Sequence, residues 1–99
     1  MIDISSEVTI RPAIVATEVD GAVTIFNPAT DRYYTLERVG AAVWRMLEGD
    51  VPLTEIRERL LERYETTATT CEQDLLALLE QLREAGLVEV RDRSAADGA

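Results

Sequence analysis

Histidine and lysine are both absent from this sequence, and cysteine occurs once, at Cys71. Without histidine and with a single thiol, the chain cannot assemble a common zinc site, a Cys–His pair or a Ser–His–Asp triad from its own residues. A lone cysteine cannot form an internal disulfide, which is typical of proteins in a reducing compartment. These absences exclude most enzyme classes, and the sequence predicts no catalytic residue, no metal and no cofactor.

Long apolar runs are also missing. No stretch approaches the length that spans a bilayer, and the N-terminus lacks the basic start and apolar core of a signal peptide. The sequence therefore predicts a cytoplasmic protein with no membrane partner.

Basic residues are few, since 10 arginines stand against 19 acidic residues and give a net charge of -9. A chain this acidic repels a phosphate backbone, so nucleic acid is not expected as a partner. Hydrophobic residues make up 46% of the 99 residues, with only 5 glycines and 3 prolines, a composition typical of one folded domain.

The first third of the chain alternates as β-strands do. A first strand runs over 8–19 with an interruption at Pro12, and Asp20-Gly21 forms a hairpin turn before a second strand over 22–26. A third strand follows at 32–36, with Tyr34 and Leu36 on one face and Tyr33 and Thr35 on the other. This pattern predicts a three-stranded antiparallel meander over residues 8–36.

The remainder shows helical spacing. The apolar pattern predicts helices over 39–47, from Pro52, and from Thr70, where Gln73 would complete a capping box, to a stop at Gly86. A short strand follows at 87–90. The chain is thus predicted to be an α+β domain over 8–90, with a flexible N-terminus over 1–7 and a flexible tail over 91–99.

Two features have a functional interpretation beside a structural one. If the third strand is a sheet edge, its free backbone groups can pair with a strand from a partner; otherwise Tyr34 and Leu36 are simply core residues. In the third helix, Leu76 and Leu78 widen the apolar arc beyond a single stripe, although all of its leucines could equally be buried. Together the two features predict a groove for an extended peptide, which the acidic surroundings would favour as basic.

The sequence resembles a known family, the PqqD-like domain, which is also called the RiPP recognition element. The resemblance covers about residues 8–90 and is carried by the stretches 23–28, 32–36 and 39–44, the Leu47-Glu48-Gly49 turn, the leucine-rich 74–82 helix and the terminal Gly86-Leu87-Val88. One departure is Glu37, where the family often has Asn, the better helix cap.

The resemblance implies a β-meander followed by a three-helix winged helix-turn-helix body without catalytic activity. Members bind the leader of a ribosomally made precursor peptide, which adds as a strand to the third strand and lies against the third helix. Carried over by position, the leader-binding residues are Arg32, Tyr33, Tyr34, Thr35, Leu36, Asp74, Leu75, Leu78, Leu79 and Leu82.

Within the family the chain looks most like the stand-alone lasso-peptide B1 proteins, which work with a separate leader peptidase and a cyclase. The resemblance thus implies a leader with apolar anchors as partner, and a monomer or weak dimer. The alternatives that remain are a PqqD-type peptide chaperone for a radical enzyme of pyrroloquinoline quinone biosynthesis, an acidic winged-helix DNA-binding regulator, and a purely structural subunit. The composition of the third helix disfavours the DNA-binding alternative. A helix that reads a DNA groove carries basic residues, and from Thr70 to Ala85 the one basic residue is Arg83.

Overall fold

The computed structural model describes residues 2–91 and contains two small sheets and three helices. The α+β class predicted from the sequence is confirmed. In chain order the elements are β1 (Glu7–Ile10), β2 (Val15–Val19), β3 (Ala22–Asn27), β4 (Arg32–Leu36), α1 (Val39–Glu48), α2 (Leu53–Arg63), α3 (Ala68–Glu84) and β5 (Val88–Arg91).

The meander consists of β2, β3 and β4, paired antiparallel in that order. Strict alternation along β3 places Val23 and Ile25 on the inner face, where both are buried. Their cross-strand neighbours in β4 are Leu36 and Tyr34, which pack against the same core. Because β3 is central, β2 and β4 are the two edges of this sheet.

The prediction that residues 8–10 begin the meander is wrong. They belong to β1, which pairs antiparallel with β5, so that Ile10 lies opposite Val88. The chain leaves β1 in a turn in which the Ile14 amide donates to the Arg11 carbonyl at 3.1 Å. This turn contains Pro12, which has no amide hydrogen and cannot donate to a strand ladder. A strand interrupted in this way changes sheets, and β1–β5 forms a separate ribbon.

The start of α3 also differs from the prediction. Thr67, not Thr70, is the N-cap, and its hydroxyl accepts a hydrogen bond from the Thr70 amide at 3.2 Å. The capping box predicted for Thr70 and Gln73 therefore does not form. Helix α1 begins after Arg38, which has φ 52° and makes no side-chain cap, in keeping with the missing Asn at position 37.

The core lies between the inner sheet face and the three helices, with Trp44, Ile25, Ile56 and Leu79 among its largest fully buried side chains. Ile2 joins this core at 4% exposure. The segment 1–7 thus contributes a side chain to the core, and its flexibility stays a prediction. Met1 and, beyond Arg91, the predicted tail lie outside the described residues.

A polar contact joins the meander to the end of α3. The buried Asn27 donates from Nδ2 to the Ala85 carbonyl at 2.9 Å, and its Oδ1 accepts from the Ala29 amide at 3.0 Å. The next residue, Gly86, has φ +75°, and a Cβ there would lie 3.0 Å from Asn27 Nδ2. Glycine permits both the backbone conformation and the close approach, so this junction fixes the sheet relative to α3.

Candidate functional site

An apolar cavity of about 130 Å³ opens among the three helices. Helices α1 and α3 each contribute side chains spaced one turn apart, which is the spacing that places residues on one helix face. The lining residues are Val39 and Val43 of α1, Leu60 of α2 with Tyr64 and Thr66 beyond it, and Cys71, Asp74, Leu75 and Leu78 of α3.

The edge strand β4 leads directly into this cavity. Val39, one of its walls, is the third residue after the end of β4. Helix α1 approaches the strand closely at Gly40, where an added Cβ would lie 3.5 Å from the Leu36 side chain. An unpaired strand edge and an apolar depression therefore lie next to each other, an arrangement that suits an extended peptide with apolar anchors.

The side chains of β4 point alternately to two sides. Tyr34 and Leu36 lie on the inner face and pack against the core, as the alternation predicts. Tyr33 and Thr35 lie on the outer face, where Tyr33 is 70% exposed and contacts Phe26 with ring centroids 4.7 Å apart. The Tyr33 side chain therefore lies on the side of the sheet away from the core and does not line the helical cavity.

The structure divides the predicted α3 residues into two groups. Asp74, Leu75 and Leu78 line the cavity. Leu79 and Leu82, at 0% and 4% exposure, are core residues and do not line it, whereas Leu75, at 2% exposure, belongs to the core as well as to the lining.

The remaining lining residues were not predicted as site residues. Val39 and Val43 are one helical turn apart on α1, as Leu60 and Tyr64 are near the end of α2. The sequence signal was present as apolar spacing, but spacing does not distinguish a core position from a cavity wall. The assignment needs the relative placement of the helices.

The charge and protonation of the site favour binding over chemistry. Among the lining residues in the described part of the chain, Asp74 alone is charged, and it is exposed. Burial raises the pKa of the Cys71 thiol, with the Asp74 charge as a smaller cause. The thiol therefore stays protonated and weakly nucleophilic at neutral pH.

Neither metal-binding nor membrane-spanning features occur in the part that the structure describes. Over residues 2–91 no three histidine, cysteine, aspartate or glutamate residues group together to hold a metal ion. Within the same range no helix has both the length and the apolar character to cross a bilayer.

The family model for coenzyme PQQ synthesis protein D (PqqD) matches residues 23–88, which span most of the chain and include both β4 and α3. The chain belongs to the PqqD family. The family region begins in β3 and ends in β5, so that the edge strand, the cavity and the Asn27 junction of this PqqD-family member all lie within it. No curated protein matches the sequence.

Two solved structures are similar to this PqqD-family chain. One, described as TbiB1 in complex with the TbiA(beta) leader peptide, has a TM-score of 0.80 at 30% identity, covering 82% of this chain and 94% of that one. The other, a lasso peptide synthetase B1 complexed with the leader peptide, has a TM-score of 0.73 at 28% identity, covering 84% and 98%. The resemblance to lasso-peptide B1 proteins stated from the sequence is thereby confirmed.

Proposed function

We propose that this chain binds the leader segment of a ribosomally made precursor peptide by β-strand addition to β4. The main observation in support is that β4 is an edge strand lying beside the apolar cavity, in a fold shared with two B1 proteins that are complexed with leader peptides. The bound leader is presented to a separate leader peptidase and a cyclase in lasso-peptide biosynthesis, and this chain has no catalytic role.

In this proposal affinity and selectivity come from different parts of the site. The backbone of residues 32–36 supplies hydrogen bonds that any extended segment can form. Selectivity comes from the cavity, where an apolar leader side chain covers Leu78, the lining leucine of α3 that is not already buried. A cavity of about 130 Å³ accommodates one side chain, so we expect a single deep anchor.

Charge gives the site its preference for basic leaders. Asp74 lies at the cavity and takes part in no ion pair among residues 2–91. Its carboxylate is available to a leader lysine or arginine, and the net charge of -9 steers such a leader toward the protein.

A second candidate function has its own support. The matching family model is that of a coenzyme PQQ synthesis protein, which favours a peptide chaperone for a radical enzyme. The two candidates share the same binding site and differ in the precursor that it accepts. Titration with leaders of both precursor types separates them.

The experiment is fluorescence anisotropy with a labelled leader from the precursor encoded beside this protein, using a scrambled leader and a DNA duplex as controls. Saturable binding of the leader alone supports the proposal. Binding of DNA instead would favour the regulator, and binding of neither would favour a structural subunit.

A scan of N-methylated leaders tests strand addition itself. In a β-strand the amides of alternate residues point to the same neighbour. Methylation at every second position over the bound segment should weaken binding strongly, while methylation at the intervening positions should have little effect. A loss of affinity without this period of two would contradict strand addition to β4.

A further inference from the structure

The register of the three-stranded sheet determines which backbone groups of β4 face away from β3. Val19 and Ala22 close the β2–β3 hairpin, whose two turn residues both have positive φ. The closing pair of such a turn is hydrogen-bonded, and hydrogen-bonded pairs recur at every second position of an antiparallel ladder. Phe26 lies four positions along β3 from Ala22 and therefore directs its amide and carbonyl to β2. Ile25, next to it, directs its amide and carbonyl to Tyr34 of β4.

The backbone groups of β4 that remain open to a leader are those of Tyr33 and Thr35, because Tyr34 and Leu36 are bonded to β3. Tyr33 and Thr35 are also the residues whose side chains lie on the outer face of the sheet. In an antiparallel pair, directly opposite residues have their side chains on the same face. A leader that continues the antiparallel order of the sheet therefore bonds to β4 through residues whose side chains point outward, and the residues between them point inward.

Tyr33 has the large outward side chain at this edge. It is 70% exposed, more than any other large apolar side chain among residues 2–91. Its ring contacts that of Phe26, with the centroids 4.7 Å apart and the ring planes inclined by 38°. Val15 lies opposite Phe26 on the other side, so that Val15, Phe26 and Tyr33 form one cross-strand row. A leader residue opposite Tyr33 extends this row by one position.

The chemistry of the outer face favours an apolar leader side chain in that position. Aromatic and β-branched residues stabilise one another when they lie opposite on neighbouring strands. A charged leader residue would find no ionic partner on this face, whereas an apolar one covers the open flank of the Tyr33 ring. The paired residues of the outer face are all uncharged: Val15, Thr17, Val19, Ala22, Thr24, Phe26, Tyr33 and Thr35.

We propose that Tyr33, supported by Phe26, forms a second leader subsite on the outer face, which selects an aromatic or β-branched leader side chain. This inference rests on the proposed leader binding. Because the cavity anchor points inward and the partner of Tyr33 points outward, the two leader residues lie an odd number of positions apart. Only the outward residue donates its amide to β4, so N-methylation should weaken binding at that residue and be tolerated at the anchor.

The test is a double-mutant cycle between Tyr33 and the leader, measured by anisotropy with the full-length chain. The leader encoded beside this protein is replaced by alanine at one position at a time, and the N-methylation scan identifies the outward positions. Tyr33→Thr removes the ring and keeps a residue that favours strands, whereas Tyr33→Phe keeps the ring. The matched control is Val15→Thr, which changes a 56% exposed side chain at the other end of the same row.

We expect Tyr33→Thr to raise Kd about three- to fivefold, the size of a cross-strand aromatic pair. Tyr33→Phe and Val15→Thr should bind as wild type does. Alanine at the leader residue opposite Tyr33 should raise the Kd of the wild type by a similar factor and leave that of Tyr33→Thr unchanged. Alanine at the cavity anchor should weaken both proteins equally, because the two subsites lie on opposite faces of the strand.

Weaker binding of Tyr33→Thr to every leader variant, without coupling to any one residue, would make Tyr33 a structural residue and overturn the subsite. Coupling to a residue that tolerates N-methylation, or that lies an even number of positions from the anchor, would also overturn it. A methylation scan with a period of two, together with wild-type binding by Tyr33→Thr, would overturn this inference and leave the proposed function intact. No saturable binding of the leader would overturn both.

Discussion

Leu78 offers the sharpest test of the cavity because Leu76 provides a matched control on the same helix. Both leucines are partly buried, and successive residues of a helix are separated by about 100°. Leu78 lies on the flank of α3 that lines the cavity, beside Asp74, whereas Leu76 lies on the opposite flank and does not line it. Replacing either leucine by alanine keeps a strong helix former.

The expected size of the effect follows from burial. A Leu→Ala change removes three carbons, worth about 0.8 kcal/mol each when fully buried. Leu78 is mostly covered in the free protein, so roughly 0.6 kcal/mol of this remains for a ligand to gain, which is about threefold in Kd. The larger part, which is already buried, costs roughly 2 kcal/mol of folding free energy, a Tm decrease of about 8–16 °C that leaves the protein folded.

The assay is anisotropy of the labelled leader, with thermal unfolding measured on the same samples. Leu78→Ala should raise Kd about threefold, while Leu76→Ala should lose similar stability with unchanged Kd. Leu78→Asp should weaken binding further, since an unpaired carboxylate would be covered by the peptide. Equal effects of the two alanine variants on Kd, or an unchanged Kd for Leu78→Ala, would refute the assignment of the cavity as the anchor site.

Three further predictions concern the Asn27 junction, the Cys71 thiol and the Asp74 carboxylate at the cavity. Asn27→Ala should lower the free energy of unfolding by about 1–3 kcal/mol in urea titrations, because the Ala85 carbonyl loses its donor; stability equal to wild type would show that water replaces the amide. The raised pKa of Cys71 means that the folded state holds the thiol proton more tightly than the unfolded state. Stability should therefore decrease as pH rises above the unfolded thiol pKa of about 8.5, and urea titrations of Cys71→Ala should lack that part of the decrease. Asp74→Asn should weaken leader binding and reduce its dependence on salt, and an identical salt dependence in anisotropy would place the basic leader residues elsewhere.

The pairing of β1 shows that alternation along a strand does not determine which strand it pairs with. Residues 8–10 alternate as well as any strand in the chain, and the sequence placed them with the nearest strands. Their partner is β5, nearly eighty residues away. Pairing over such a distance depends on where α3 ends, which is fixed by the Asn27 junction and Gly86 rather than by the residues of β1.

The start of α3 shows a different limit. Thr66, Thr67, Thr69 and Thr70 all have a side chain that can cap a helix, so composition does not select one. The structure selects Thr67, so that the helix begins at Ala68, three residues earlier than a cap at Thr70 would allow.

The sequence by itself determined the element types, the common face of Tyr34 and Leu36 on the third strand, and the family, because these depend on alternation, helical spacing and residue order along the chain. That β4 is a sheet edge was left open by the sequence and was decided by the strand order. Only the tertiary structure decided which leucines of α3 are core and which are wall. Leu75, Leu78, Leu79 and Leu82 share one apolar arc, and their roles depend on which helix or strand covers each part of it. A side chain becomes a binding surface when no neighbour covers it, and that is a property of packing and not of the residue.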